Sequence, residues 1–443
     1  MQREKLSVGR ERAILAGLIL PGFTGDPHDP LNELRSLADT AGAVSVDEII
    51  QKRVHPDPAT FMGKGKIEEI GQLVKMHTAG VVIFENDLTP RQIANIEQVV
   101  ECKVVDRSEL ILDIFAGRAQ TNEARLQVEL AQLEYTYPRL RAMWSHLERI
   151  VGGAPAGIGT RGPGEQQIEI DRRIVQRKKA QLKNEITVIQ GRKTRQVAHR
   201  NADHFSVCLV GYTNAGKSTL FNTLSSEGGA YADDKLFATL STRTSKWSLG
   251  SGDEVMLSDT VGFVRDLPHH LVASFRATLE EAIYAHLLLV VIDVAHPRCV
   301  HQYNTVMEVL DEIGANTQPR LLVLNQIDRM THNADLLLFQ KDHPDHVAVS
   351  AKTGRHLDEL TERVRQFAKG RVEQHDLTID LADGKAMQFI ENRSEVLDRN
   401  YDGATATLTV RIGLRQLDQL KTLSRSLRVD GVAPAAQRPG WST

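Results

Sequence analysis

The 443-residue chain lacks any apolar run approaching the ~18 residues that a membrane-spanning helix needs, so no stable membrane insertion is expected. It has only three cysteines, Cys102, Cys208 and Cys299, with no metal-type spacing among them. An odd count and wide scatter exclude a disulfide framework and fit a reducing cytoplasm. Charge of one sign is also missing: the formal net charge is −3, which by itself predicts no nucleic-acid partner. At the N-terminus Arg10, Arg12 and the run Ile14–Leu20 faintly imitate a signal peptide, but Pro21-Gly22 follows instead of a small-residue cleavage site. A strand ended by a turn is the better reading. What is present is 41% hydrophobic residues, enough for ordinary cores, and a length that suggests two to four domains at ~100–200 residues each.

The first part, residues 1–120, alternates short β-rich runs (Ala43–Val46, Gly80–Phe84, Val104–Asp106) with helical segments and reads as a small α/β domain. Thr89-Pro90-Arg91-Gln92 carries an N-cap, a proline at the first helical position and a capping-box glutamine. Across 121–200 the period changes. Leu126, Leu133, Leu140 and Leu147 recur every seven residues, with Leu130, Tyr137, Trp144 and Val151 four after each. Pro138 interrupts this seam and should kink it. Ile168, Val175, Leu182 and Ile189 form a second seam, supported by Ile174, Ile186 and Val188. Two such seams predict an antiparallel helical hairpin. Its tip would be the loop 152–164, with six glycines in thirteen residues and Arg161 among them. That loop can thread a backbone close to another surface, or be a plain connector. Local charge reappears here: Glu165–Arg200 holds ten Lys/Arg against four Asp/Glu. Arg161, Arg172, Arg173, Arg177 and Lys178 are therefore candidate RNA-contacting residues. Regular alternation over 201–371 predicts a doubly wound α/β sheet. Residues 372–430 read as a small α+β unit, and the Ala/Pro/Gly-rich end, 431–443, as a disordered tail.

Within the third unit, Gly211-Tyr212-Thr213-Asn214-Ala215-Gly216-Lys217-Ser218 matches GxxxxGK[ST] between an apolar strand and a helical run. Such a loop turns backbone N–H groups around phosphates; its lysine reaches the β- and γ-phosphates and its serine ligates Mg²⁺. Four further elements follow in order. Phe237-Ala238-Thr239-Leu240 can supply a switch threonine for Mg²⁺, although an ordinary loop threonine is the competing reading. In Asp259-Thr260-Val261-Gly262, Asp259 would hold Mg²⁺ through water and the Gly262 N–H would bond the γ-phosphate. Lys217 and Gly262 are thus the candidate catalytic groups. In Asn325-Gln326-Ile327-Asp328, the Asp328 carboxylate would accept from both N1–H and N2–H₂ of guanine, a pair that adenine lacks. In Ser350-Ala351-Lys352, the Ala351 N–H would reach guanine O6. The five elements together point to a GTP-hydrolysing P-loop protein. Phe263 stands where small signalling GTPases carry a water-orienting glutamine, so hydrolysis by the chain alone should be slow. Asn214 could help coordinate K⁺ against the phosphates, or be chosen for turn geometry. His269 and His270 read as surface residues of the following segment rather than as bases.

The combination resembles the HflX family of ribosome-associated GTPases across nearly the whole chain. The residues that carry the resemblance are Ile158-Gly159-Thr160-Arg161-Gly162-Pro163-Gly164-Glu165 with Asp171-Arg172-Arg173, the P-loop, Asp259–Phe263, Gly63–Lys66 and Asp106–Phe115. The resemblance implies a GTPase that binds the large (50S) ribosomal subunit and its rRNA; a monomer is expected, although the sequence itself does not fix the oligomeric state. The resemblance further implies that the N-terminal domain and hairpin enter near the peptidyl-transferase region and part stalled or idle 70S particles under stress. Gln166 and Ile168 depart from the usual Thr and Leu. Gln326 stands where a lysine normally covers the base. The family's link to ATP and helicase-like activity would need a second nucleotide site, for which Gly63-Lys64-Gly65-Lys66 is too short; it reads as a basic turn. Two other function classes remain: a GTPase of RNA modification, against which stands the lack of a cysteine or folate-type site after the G domain, and a non-enzymatic GTP-switched adaptor binding a protein through the hairpin.

Overall fold

Apolar runs without polar alternation need cover on both faces, which parallel strands with helical crossovers provide. A computed structural model describes residues 11–23, 25–151, 163–225, 237, 242–250, 252–265, 280–330, 337, 341–370, 372–424 and 426–430; of these, 136, 138–151, 163–172, 193–194, 196–203 and 280 are described by backbone only. In its N-terminal part β1 (Arg12–Ile19), α1 (Asn32–Ala41), β2 (Val44–Lys52), α2 (Lys64–His77), β3 (Val81–Phe84), α3 (Pro90–Val100), β4 (Lys103–Asp106) and α4 (Arg107–Arg118) alternate. The strands pair in parallel in the order β2-β1-β3-β4. Helix α3 starts as its sequence predicts: the Gln92 N–H donates to Thr89 Oγ1 at 3.3 Å and the Thr89 N–H to Gln92 Oε1 at 2.9 Å. Gly63–Lys66 is not a basic turn. Gly63 is the N-cap of α2, and Lys64 to Lys66 form its first turn.

Helices α5 (Asn122–Val151) and α6 (Pro163–Asp203) follow. The helical assignment of α5 continues through Pro138. Pro163 and Gly164, expected in the tip loop, open α6, where a proline's missing N–H costs no ladder bond; the rest of that loop, 152–162, lies outside the described residues. Leu130, Leu182 and Ile186 bury one another, with Leu126 and Leu133 against them. Ile174 and Val188 do not support the seam; both are exposed. At about 100° per residue they lie roughly 80–120° around the helix from Leu182. Polar contacts also join the arms: Lys179 and Lys183 reach Glu134 at 3.2 and 3.0 Å, and Lys178 reaches Glu129 at 3.1 Å. Only His204 separates α6 from β5 (Phe205–Gly211).

The third part runs β5, α7 (Lys217–Leu224), β6 (Arg243–Gly250), β7 (Asp253–Asp259), α8 (Glu280–Tyr284), β8 (Leu287–Asp293), α9 (Cys299–Glu312), β9 (Arg320–Asn325), β10 (His346–Ala348) and α10 (Leu357–Lys369). Its sheet order is β10-β9-β8-β5-β7-β6, parallel except where β6 meets β7. The sequence reading missed β6, whose polar residues alternate with Trp247 and Leu249 on an edge. The last part is β11 (Val372–Asp380), α11 (Gly384–Arg393), β12 (Glu395–Asp402), β13 (Thr405–Gly413), α12 (Leu414–Leu423) and β14 (Arg428–Val429). It forms an antiparallel sheet β12-β13-β11-β14 around Leu377, Ile379, Leu408 and Val410. Among the described residues no helix is long and apolar enough to cross a membrane.

Candidate functional site

Strand β5 lies between β8 and β7, so the loop after Gly211 leaves the sheet at the point where connections diverge to either side, the usual ligand crevice of such sheets. Gly216 has φ +88, and a Cβ there would collide with the Asn325 amide. Asn214 is also left-handed, φ +62, which asparagine tolerates; this gives a backbone reason for the residue. The Lys217 ammonium donates to the carbonyls of Gly211 at 3.0 Å and Tyr212 at 2.7 Å. Burial draws its pKa down to about 8, against the pull of the Asp259 carboxylate. Ser218 Oγ donates to Asp259 Oδ2 at 2.9 Å, and Arg243 Nη2 lies 3.4 Å from the same oxygen. Thr260 Oγ1 donates to the Leu209 carbonyl at 2.7 Å, pinning the end of β7 to β5.

The segment after Asp259 crosses the P-loop. The Thr213 N–H donates to the Phe263 carbonyl at 2.7 Å, and the Phe263 N–H to that of Gly211 at 3.1 Å. Gly262 sits so close that a Cβ would lie 2.8 Å from both Lys217 Nζ and Thr213 Cα. Only glycine fits there. The Phe263 side chain is buried with Tyr212, Val294 and Cys299, within the apolar core.

On the base side, Asn325 ties two loops together. Its Nδ2 donates to the Ala215 carbonyl at 2.9 Å, and its Oδ1 accepts from the Ala351 N–H at 3.0 Å. Asp328 accepts from Ser350 Oγ at 2.6 Å. Gln326, φ +66, donates through Nε2 to the Asn214 carbonyl at 3.0 Å, while its Oε1 accepts from Arg329. Ile327 packs on the core and Lys352 is exposed.

Sequence reasoning missed the surroundings. Phe237, expected in the nucleotide cleft, instead buries its side chain edge-on against Phe115 of α4 at 4.5 Å between centroids. An apolar ring gains more from that core than from a polar cleft. Val261 and Val264 join the same N-terminal core. Ala238, Thr239, Leu240, His269, His270 and Arg161 lie outside the described residues, as does the side chain of Arg172; Arg173 and Arg177 are exposed on α6.

A buried polar cluster accompanies this contact. The Tyr212 hydroxyl donates to Glu33 Oε1 at 2.9 Å and accepts from the Arg265 N–H at 2.7 Å. Arg107 lies 3.0 Å from Glu33 and 2.8 Å from Glu85, and donates to the Arg265 carbonyl at 2.9 Å. The Arg265 guanidinium bonds Glu85. Burial raises the Glu85 carboxyl above its ordinary range despite both arginines. Glu33 is also pushed up by burial, but Arg107 and Arg265 outweigh this and leave it lowered. The sequence signal for these residues was weak: Glu85 and Arg107 directly follow the apolar strands β3 and β4, where such sheets place functional groups. A polar cavity of about 200 Å³ opens beside the cluster, between Glu33, Thr213, Asn214, Arg265 and Arg298.

Family models match three consecutive stretches: the N-terminal region of GTP-binding GTPases over residues 28–116, their middle region over 118–200, and a 50S ribosome-binding GTPase over 206–326. GTPase HflX of Lacrimispora saccharolytica is 40% identical over 395 residues, 88% of this chain and 91% of that protein. GTPase HflX of Escherichia coli is 43% identical over 382 residues, 85% of this chain and 87% of that protein. A GTP-binding protein from the archaeon Sulfolobus solfataricus, solved with GDP, is 25% identical with a TM-score of 0.45, covering 81% of this chain and 98% of that one. Such identity over most of both bacterial relatives makes the chain a member of the HflX family of GTPases.

Proposed function

We propose that this GTPase acts on the large ribosomal subunit, using GTP to separate stalled or idle 70S particles under stress. The observation that carries the reading is the coincidence of a nucleotide site with a long hairpin whose second helix precedes the P-loop strand by the single residue His204, in a chain whose residues 206–326 match the model described as a 50S ribosome-binding GTPase. The four units 1–120, 121–200, 201–371 and 372–430 are its parts in this proposal. Exposed Arg173 and Arg177 on α6, with Arg172 and Lys178, meet rRNA phosphates, and Arg161 extends that contact at the tip. Lys178 spends part of its charge on Glu129, so it contributes less than its neighbours.

At the nucleotide, Gly211–Ser218 wrap the phosphates, Lys217 neutralises the β- and γ-oxygens, and the Gly262 N–H meets the γ-phosphate. Mg²⁺ dependence is typical of the family, and the residues fit it: Ser218 Oγ and the buried Asp259 carboxylate converge within 2.9 Å, the hard oxygen donors that this ion takes. Ser218 would hold the ion directly, Asp259 through water, and Thr239 in the triphosphate state. When bound, the ion supplies charge neutralisation between β- and γ-phosphates. Asp328 reads guanine N1–H and N2–H₂, and Ala351 its O6. Phe263 cannot orient water, so turnover depends on backbone placement and on the ribosome.

Cosedimentation with separated subunits and with 70S particles tests the proposal. A non-hydrolysable GTP analogue should drive binding to the 50S subunit and release of the 30S, and GDP should not. Replacing Gly157–Gly164 by a Gly-Ser linker should abolish splitting while leaving GTP binding intact. Intact 70S particles at saturating protein and analogue would overturn the reading in favour of an adaptor or RNA-modification role.

A further inference from the structure

We propose that Glu33 and Glu85 are positioning residues for GTP turnover: acting through Tyr212 and Arg265, they hold the P-loop and the Asp259–Arg265 segment in the register that receives a γ-phosphate. This rests on the reading of Lys217 and Gly262 as phosphate-facing groups.

The N-terminal sheet delivers three charged residues to one point: Glu33 from α1, Glu85 from the end of β3, and Arg107 from the start of α4. They meet Tyr212 of the P-loop and Arg265, three residues after Gly262. The Tyr212 hydroxyl is the joint. Its proton goes to Glu33 at 2.9 Å, and its oxygen receives the Arg265 N–H at 2.7 Å. One atom thus fixes the P-loop to the following segment, and Glu33 fixes that atom. Glu85 does the same for the Arg265 guanidinium, and Arg107 closes the ring on the Arg265 carbonyl at 2.9 Å. Arg107, Glu85 and Arg265 are each about 5% exposed. Exposed ion pairs hold geometry weakly, whereas buried ones tolerate little displacement, because any movement leaves a desolvated charge unpaired.

An apolar contact independently anchors the same region. Val261 and Val264 bracket Gly262, and Phe237 lies two residues before Thr239; all three are buried in the N-terminal core beside Phe115. The stretch around Gly262, and Phe237 ahead of Thr239, are therefore held from outside the nucleotide-binding sheet. GDP offers nothing for those segments to contact. Its phosphates lie deeper in the P-loop, which the cluster reaches only through Tyr212, whose carbonyl accepts from Lys217 at 2.7 Å. The cluster should consequently distinguish triphosphate from diphosphate and govern the chemical step. Phe263 heightens the dependence: with no side-chain donor to steer water, the placement of this backbone is what remains.

The test uses the full chain with Glu33→Gln and Glu85→Gln, measuring GDP affinity, affinity for a non-hydrolysable GTP analogue, kcat, KM and thermal unfolding. GDP affinity should stay within about twofold, while analogue affinity and kcat each fall about tenfold, the worth of one or two oriented hydrogen bonds. Equal losses for both nucleotides, as a merely structural role would give, overturn the proposal, and so does no loss at all. Should the variants fail to fold, hydrogen exchange on the wild type decides. Amides of 85–107 and 261–265 should be more protected with the analogue than with GDP, and equal protection overturns it. Lys217→Ala separates the two layers: undiminished binding of both nucleotides by that variant would sink the site assignment itself.

Discussion

Replacing Arg107 with methionine would leave Glu33 and Glu85 with one guanidinium between them. The cluster's formal charge would go from zero to −1 in a place where the remaining side chains are at most 14% exposed. Breaking a buried pair in this way costs about 3–5 kcal/mol, because the stranded carboxylate keeps its desolvation penalty. That is a large part of the ~5–15 kcal/mol that holds a domain folded. Protonation offers an escape. Burial already raises the Glu85 carboxyl, so its contribution to stability is in place below the unfolded value and is lost as pH rises through the folded one. Losing Arg107 raises it further and stretches that window towards neutrality. The stability of Arg107→Met should therefore fall with rising pH, by up to ~1.4 kcal/mol per unit. Glu33 has the opposite sign: its lowered carboxyl loses its contribution only as pH falls below its ordinary value of 4.5. Adding Glu85→Gln restores neutrality and should recover at least ~2 kcal/mol at pH 8 while flattening the slope. Denaturant titrations of both variants between pH 5.5 and 8.5 measure this. A double variant no more stable than the single one would refute the reasoning.

Lys217, with its pKa drawn to about 8 by burial, must be protonated to meet phosphates, so nucleotide affinity should fall by up to tenfold per unit above pH 8; a flat titration to pH 9.5 would contradict this. Asp328→Asn should exchange GTP for xanthosine triphosphate, whose O2 accepts from an amide, and unchanged GTP affinity would refute that role. Arg329 fixes the Gln326 amide with its NH₂ towards the Asn214 carbonyl, so Arg329→Ala should weaken GDP and GTP alike by about threefold to tenfold. The same substitution should do nothing beside Gln326→Lys, where the ammonium makes that bond itself. If Asn214 coordinates K⁺, hydrolysis in KCl should exceed that in NaCl at equal ionic strength; equal rates with and without ribosomes leave its left-handed backbone as the reason for the residue.

The elements read most fully from sequence were those whose chemistry is local. A P-loop, a capping box or a heptad fixes its own geometry within a few residues, and Gly216, Thr89 and Leu182 stand as their neighbours predict. Edge strand β6 escaped because its polar face leaves only Trp247 and Leu249 as signal. Ile174 and Val188 were overread because hydrophobicity alone does not say which side of a helix is covered. The Glu33–Glu85–Arg107–Arg265 cluster was the least legible. Its members are 158 or more positions apart across the two parts, and each looks like a surface charge until the fold buries it. Phe237 failed for the same reason: its partner Phe115 lies 122 residues upstream.

Helix α6 spans 41 residues, about 60 Å of rigid rod, and hands over to the P-loop strand across a single residue. Such a rod is a lever with a very short inner limb. One degree of tilt about His204 displaces its far end by roughly 1 Å. Conversely, a far end held fast against a massive body would return strain to β5, at whose other end Gly211 begins the phosphate loop. Mechanical load and nucleotide chemistry would then share one strand, with seven residues between them.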